Sequence, residues 1–298
     1  MRKTIFITSF NREKIFYKTL IKLKSCRGYD QFHKVIIYQD INKSVYKKIK
    51  KIDNKICIIS TSYKNNISAL HKCNLNTFKG FTKSFEKYKS DYVIFLEDDV
   101  LPSYDFLEFH NYIISKYRYD KKFFAANSFS RESGKNLDFS YSKFIYGIGK
   151  GWSLSKEKWP VLKKMFEELF YSQKNIFYDC YFETDIIRKY YVIMPFRSRC
   201  YEQPSNGLNS RIAQKKSSHW KNWKKSFLNK KKYRIKKYTY KPNQKYTWRK
   251  DCQKYTRLNV LIINLRYMMI KERLKEIIKL MIGVKKFFSI KKILIRQI

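Results

Sequence analysis

The sequence predicts an α/β domain, a mostly parallel sheet with helices on both faces, followed by a basic, largely helical C-terminal extension. Three observations predict it. Short apolar runs rich in β-branched and aromatic residues alternate with segments of helical spacing, the pattern of strands buried on both faces and joined by helical crossovers. One of these runs, Tyr92–Leu96, passes straight into three consecutive carboxylates, Glu97, Asp98 and Asp99. The last third of the chain holds more than half of a formal net charge of +42.

Taken in order, Thr4–Thr8 reads as a first strand, ended by the polar Ser9-Phe10-Asn11-Arg12, and Lys14–Lys24 as a helix. Lys34–Tyr38 is a second buried strand ending at Gln39-Asp40, and Ile56–Ser60 a third apolar run. Asn76–Lys89 has helical spacing, Tyr92–Leu96 is a continuous apolar strand, and Phe106–Lys116 is the next helix, with Pro102 near its entry. Phe123–Asn127 reads as another strand. Beyond it the alternation loosens: Gly147, Gly149 and Gly151 precede Trp152, and Glu157–Phe170 returns to helical spacing. Leu258–Met281 repeats apolar residues at helical intervals between Lys, Arg and Glu, so it should form an amphipathic helix. No internal repeat is evident.

At 298 residues, 44% of them hydrophobic and 18% aromatic, the chain can bury one large core plus an appendage, which excludes a disordered protein. The expected organisation is a domain over 1–214 and an extension over 215–298. Lys215–Arg257 carries 17 Lys or Arg against one acid, Asp251, and Leu258 onward carries ten against two. Such a block needs an anionic partner or a wet surface, and nucleic acid, anionic lipid and phosphorylated substrates all qualify. Six scattered cysteines without a C-x-x-C pair fit neither a zinc site nor a disulfide framework, and imply reduced thiols. The N-terminus reads as a strand and not a signal peptide, and no stretch reaches the roughly 18 apolar residues of a spanning helix. A cytoplasmic protein is expected.

The sharpest chemical signal is Leu96-Glu97-Asp98-Asp99-Val100. Adjacent carboxylates at the end of a buried strand repel one another and lose hydration, which a cation can offset. Ligands bind at the C-terminal edge of parallel sheets. If the segment stays extended, Glu97 and Asp99 face one side and Asp98 the other. Oxygen-only ligands favour Mn²⁺ or Mg²⁺, whose shells are completed by water and substrate phosphates. The bland alternative is a solvated acidic turn.

Phe95-Leu96-Glu97-Asp98-Asp99, with Pro102, Asp105-Phe106 and Phe109, resembles the metal-binding segment of N-acetylglucosaminyltransferase I and its relatives. These are inverting, Mn²⁺-dependent glycosyltransferases of the GT-A fold, a Rossmann-like nucleotide-sugar domain. The resemblance runs in order over roughly the first 210 residues. Thr8-Ser9-Phe10-Asn11-Arg12 is similar to the first strand end, which implies that Arg12 contacts the nucleotide. Tyr38-Gln39-Asp40 is similar to the second, which implies that Asp40 recognises uracil. Phe78–Lys83 looks like the helix start before the metal strand. Tyr146–Leu154, with Trp159, resembles the acceptor-side loop. Phe177-Tyr178-Asp179-Cys180-Tyr181 matches the segment whose first aspartate is the catalytic base, with Cys180 in place of a second aspartate. Asn206–Ser210, including Leu208 and Asn209, matches by position a loop that closes over the donor.

The resemblance therefore implies a donor site of Arg12, Asp40, Glu97 and Asp98, a metal on Asp99, and Asp179 as the base that accepts the acceptor hydroxyl's proton. Asp179 also reads as an ordinary first-turn acid of a helix over Phe182–Lys189, and Glu183 and Asp185 are rival bases. On the acceptor side stand Trp152 and Tyr178, with core packing an equal reading of Trp152. Lys221–Arg257 interleaves basic residues with aromatics, a pattern shared by single-strand nucleic-acid binding, an anionic membrane interface and a solvated face. The amphipathic helix after it favours the membrane. The expected protein is an inverting, metal-dependent transferase moving a sugar, GlcNAc by the resemblance, from a UDP-sugar to a glycan or lipid-linked acceptor at the inner membrane face. Its rivals are a GT-A enzyme of other sugar and stereochemistry, and a nucleic-acid-binding protein using the tail. The carboxylates speak against nucleic acid, because they repel phosphate.

Overall fold

In the computed structural model, the structure describes residues 1–130, 139–144, 148–172, 178, 189–203 and 239–240. All belong to a unit spanning Met1–Gln253. The expected boundary at 214/215, the helix over Leu258–Met281 and nearly all of the basic extension lie outside the described residues.

The fold is α/β. Strands β1 (Lys3–Phe10), β2 (His33–Gln39), β3 (Cys57–Thr61) and β4 (Tyr92–Glu97) alternate with helices α1 (Glu13–Lys24), α2 (Lys43–Ile52) and α3 (Ala69–Thr82). Then come β5 (Val100–Pro102), α4 (Phe106–Tyr117), β6 (Phe123–Asn127), β7 (Ser140–Phe144), β8 (Trp152–Ser155), α5 (Trp159–Tyr171), β9 (Tyr191–Pro195), β10 (Cys200–Glu202) and β11 (Thr239–Tyr240). One sheet has the order β11-β7-β9-β6-β8-β4-β1-β2-β3, and β5 and β10 form a separate antiparallel ribbon.

The large sheet is mostly parallel, as expected: β1 pairs with β2 and β4, β2 with β3, β6 with β9 and β7 with β11, each in the same direction. The half beyond β4 is mixed. β8 runs antiparallel to both β4 and β6, and β7 antiparallel to β9. The strands of the parallel half are near-continuous apolar runs because helices cover both faces, so Ile5, Phe6, Ile36, Ile37, Val93 and Ile94 are all buried. The face toward α3 is set by Gly80, where a Cβ would come 2.3 Å from the Phe6 ring, so only glycine lets the helix lie this close to β1.

Two helices differ from expectation. α2 was not foreseen: it is lysine-rich and buries only Val45 and Ile49, one turn apart, while Asn42 caps it by accepting from the Val45 N–H at 2.9 Å. α3 begins at a Ser68 cap, earlier than the expected start at Asn76, and passes at Lys83–Lys87 into a wider π-turn. Phe78–Lys83 is thus the end of a helix and not its start. No helix among the described residues is long and apolar enough to cross a membrane.

Candidate functional site

Strand order creates a switch point. The chain steps outward from β1 to β2 to β3, then returns to place β4 on the other side of β1. The crevice beyond the C-terminal ends of β1 and β4 is where ligands settle in open α/β sheets, because the two connections leave in opposite directions there. Register brings the strand ends level, with Thr8 opposite Glu97 and Phe10 opposite Gln39.

Backbone geometry sharpens the edge. Asn11, just past β1, and Asp40, just past β2, hold φ of 49° and 52°. Asn and Asp tolerate this left-handed region better than other side-chain-bearing residues, and it turns the chain abruptly off the sheet. The Asp40 N–H donates to the Thr61 carbonyl at 2.8 Å, and Gln39 Nε2 donates to Asp40 Oδ2 at 3.2 Å, fixing an exposed carboxylate at the rim. Phe10 is also exposed at this rim, with 48% of its surface open.

Across the switch point, Arg12 joins the strand ends. Its Nε donates to Asp98 Oδ2 at 3.3 Å, its Nη2 to Asp98 Oδ1, and its Nη1 to Asp99 Oδ2 at 2.8 Å. Ser9 Oγ donates to Asp98 Oδ2 at 2.8 Å. Asp98 and Asp99 are buried, whereas the Arg12 side chain is 31% exposed. Burial pushes the Asp98 carboxyl up to about 6, against the pull of Arg12 and with Asp99 adding to the rise. Burial works against the Arg12 charge too, but the attraction of Asp98 and Asp99 outweighs it and raises its pKa.

This arrangement revises the sequence reading in two respects. The chain turns immediately after Glu97, so strand alternation stops and Asp98 and Asp99 both meet Arg12 instead of facing opposite sides. The cation that offsets the adjacent carboxylates is, in the protein by itself, a guanidinium. Ser9 was the contributor the sequence did not single out, since a serine among apolar strand residues carries no signal until its partner is placed.

A divalent ion fits the donor set in a limited way. Among the described residues, no group of three or more His, Cys, Asp or Glu is arranged to hold a metal. Both Asp98 oxygens are engaged by Arg12 and Ser9. Asp99 is a hard oxygen donor next to the crevice and half-buried Glu97 stands beside it, so an ion there would draw the rest of its shell from substrate phosphates and water.

The acceptor-side expectations fare differently. Trp152 is fully buried, its ring against Phe81 (5.0 Å between centroids), Phe95 (6.3 Å) and Tyr178 (6.4 Å). It is a core residue and offers no face to an acceptor. Tyr178 is buried as well: its hydroxyl accepts from Trp152 Nε1 at 3.4 Å, and its N–H donates to Asn74 Oδ1 at 3.1 Å. Gly151, with φ of 63°, lets the loop pass between Ser128, Phe106 and Leu96, where a Cβ would come within 2.7 Å of Ser128 Oγ. His110, which the sequence did not single out, lies fully buried with Nδ1 2.8 Å from Ser153 Oγ, and burial pushes its pKa down to about 3. Asp179, its rivals Glu183 and Asp185, and the loop residues Leu208 and Asn209 lie outside the described residues.

No family model matches the sequence, and no curated protein matches it. Among solved structures, the chain is similar to a mannosyltransferase from Pyrobaculum calidifontis in complex with GDP-Man and Mn²⁺, at 13% identity and a TM-score of 0.45 over 69% of this chain and 57% of that one. It is similar to S. aureus TarS 1-349 with UDP-GlcNAc, at 11% identity and a TM-score of 0.46 over 72% and 61%. A third likeness is to the glycosyltransferase GlyE of Streptococcus pneumoniae TIGR4, at 12% identity and a TM-score of 0.40 over 64% and 45%. The chain thus spans about three fifths of the first two and less than half of the third.

Proposed function

We propose that the chain is a GT-A-type glycosyltransferase that transfers a sugar from a nucleotide-sugar donor bound at the crevice between β1 and β4. The observation that carries this reading is the meeting of Arg12 with Asp98 and Asp99 at the switch point, with Asp40 one strand away. Neighbouring strands lie about 4.8 Å apart, so the ends of β2 and β4 are separated by roughly 10 Å, a span that suits a nucleoside diphosphate lying across β1.

In this reading, Asp40 accepts hydrogen bonds from the nucleobase, and the exposed Phe10 ring offers it a stacking face. Arg12 holds Asp98 and Asp99 together before the donor arrives and presents positive charge to the diphosphate afterwards. Glu97 and Asp98 orient ribose and sugar. Asp99 is the residue that would hold Mn²⁺ or Mg²⁺, and what such an ion supplies is neutralisation of the charge that develops on the departing diphosphate. Asp179 is the proposed base, taking the proton of the acceptor hydroxyl as it attacks from the face opposite the leaving group, which inverts the anomeric centre. The sequence resemblance favours UDP-N-acetylglucosamine as donor and a glycan or lipid-linked acceptor in surface polysaccharide assembly. The basic extension, carrying +24 from Lys215 onward, docks the enzyme on anionic lipid, where each engaged Lys or Arg contributes about 1 kcal/mol.

The test is donor hydrolysis over a panel of UDP- and GDP-sugars, with Mn²⁺ and with a chelator. Metal-dependent release of one nucleoside diphosphate is expected. No release from any donor, together with tight RNA binding by the full chain, would replace this reading with the nucleic-acid one.

A further inference from the structure

The carboxylates at the end of β4 are held from the front by Arg12 and from behind by a second, buried set of hydrogen bonds. Thr19, on α1, is fully buried, and its hydroxyl donates to the Asp98 carbonyl at 2.7 Å. Gln203, which follows β10, is buried, and its backbone N–H donates to the Asp99 carbonyl at 2.7 Å. The Gln203 side chain then closes the loop. Its Nε2 donates to Thr19 Oγ1 at 3.0 Å and to the Ile15 carbonyl at 3.2 Å.

The direction of each bond matters. A threonine hydroxyl has a single proton and can rotate to spend it on any nearby acceptor. Because Gln203 Nε2 donates to the Thr19 oxygen, that proton is committed to the Asp98 carbonyl. Both main-chain carbonyls of the turn are therefore fixed, one through Thr19 and one directly, by an element 184 residues away from Thr19 in sequence. Gln203 is itself anchored. β10 pairs with β5, so Glu202 lies opposite Val100, and the Ser103 N–H donates to the Arg199 carbonyl at 2.8 Å. The buried Arg199 side chain faces Asp105, with Nε 3.4 Å from Oδ2. Two packed elements, α1 and the β5–β10 ribbon, thus converge on the two peptide units that carry the functional carboxylates.

We propose that Gln203 is a positioning residue for the Asp98–Asp99 carboxylates, acting through Thr19 and through the Asp99 carbonyl. The role rests on the donor-site reading above. It predicts an effect that a residue serving only stability would not have. Groups that orient the residues holding a ligand typically change affinity by roughly 10- to 100-fold when removed, because a small displacement misplaces the charge they carry.

The test uses the full chain and a double-mutant cycle of Gln203→Leu and Thr19→Val, with Thr19→Ser as the conservative control. Two quantities are measured: calorimetric affinity for UDP or GDP with Mn²⁺, and hydrogen exchange of the backbone amides of 97–101 and 103. Gln203→Leu and Thr19→Val should each weaken nucleoside-diphosphate binding about tenfold and speed exchange in that segment. The double variant should be no worse than either single, since both break the same path, and Thr19→Ser should behave as wild type. A Gln203→Asn variant, too short to reach Thr19 but still polar, should reproduce the loss if Gln203→Leu fails to fold. Unchanged exchange and affinity in variants of a wild type that does bind would overturn the positioning role alone. Faster exchange in the variants, with no nucleoside diphosphate bound by the wild type, would overturn the donor-site reading and the positioning role with it. Additive losses in the double variant would make the two residues independent and overturn the proposed path.

Discussion

In the half of the sheet ordered β3-β2-β1-β4, every strand sends its C-terminal end to one edge, whereas in the other half β8 runs against both of its neighbours and β7 against β9. The two halves use polar residues differently as a result. Converging strand ends let Ser9, Arg12, Asp98 and Asp99 share one charged cluster, open to solvent only at the guanidinium. In the mixed half, polar letters sit in the interior: Ser140, Ser142, Ser153 and Ser155 are fully buried, and Ser153 meets His110. At the parallel edge the buried polar residues are thus paired as charges.

Substitutions should separate the two. Trp152→Ala is expected to show the largest effect, a stability loss of about 3–5 kcal/mol from the vacated core volume, read by denaturant unfolding. Nucleoside-diphosphate affinity, measured where the variant is still folded, should stay near wild type. A selective loss of affinity at unchanged stability would instead return Trp152 to the site. Arg12→Met comes next. It leaves the buried Asp98 charge without its guanidinium partner and should lower stability by about 3 kcal/mol. Adding Asp98→Asn to that variant removes the stranded charge and should recover part of the loss, which a packing role for Arg12 would not allow.

The mixed half should carry its own acid sensitivity. The His110 pKa in the folded state, about 3, lies below its ordinary value of 6.5, so between these values the unfolded chain binds a proton that the folded chain refuses. The stability associated with neutral His110 is complete above about pH 6.5 and is lost as pH falls toward 3, a change on the order of a few kcal/mol. His110→Asn should flatten that part of the stability–pH curve, and a slope unaltered by the substitution would assign the acid sensitivity elsewhere. Smallest is Asp40→Ala, expected to raise the donor KM about tenfold with little change in kcat, since it removes binding common to the ground and transition states. A loss confined to kcat would contradict its place at the nucleobase.

The same contrast explains what could be read from the letters. β1, β2, β4 and β6 were legible because strands covered on both faces are written as unbroken apolar runs. The acidic cluster was legible because three charges abutting such a run stand out from packing, but the turn that brings Asp98 and Asp99 together was not. β8 was not, because Trp-Ser-Leu-Ser reads as half-polar, and the partner of Ser153 is a histidine 43 positions away. α2 was hidden by lysines around two apolar anchors, Val45 and Ile49. Arg12 and Asp98, 86 residues apart, could be placed at one edge by strand counting, but their pairing, and the buried Thr19–Gln203 support behind it, need the fold. Trp152 and Tyr178 illustrate the converse: the family resemblance of their segments suggests an acceptor platform, yet here both are buried in the core.

The central claim is that the turn after β4 binds a nucleoside diphosphate with a divalent cation on Asp99. Mn²⁺ electron paramagnetic resonance tests it most directly, by following the loss of the free-ion signal as UDP or GDP is added to the full chain and to Asp99→Ala. The account predicts that the wild type takes up Mn²⁺ strongly only when one of these nucleotides is present, because Asp99 supplies few of the ligands the ion needs. Asp99→Ala, equally folded by circular dichroism, should leave the signal as it is for nucleotide alone. Nucleotide-dependent uptake of Mn²⁺ by Asp99→Ala at wild-type strength would contradict the claim, as would a wild type that takes up no Mn²⁺ with either nucleotide.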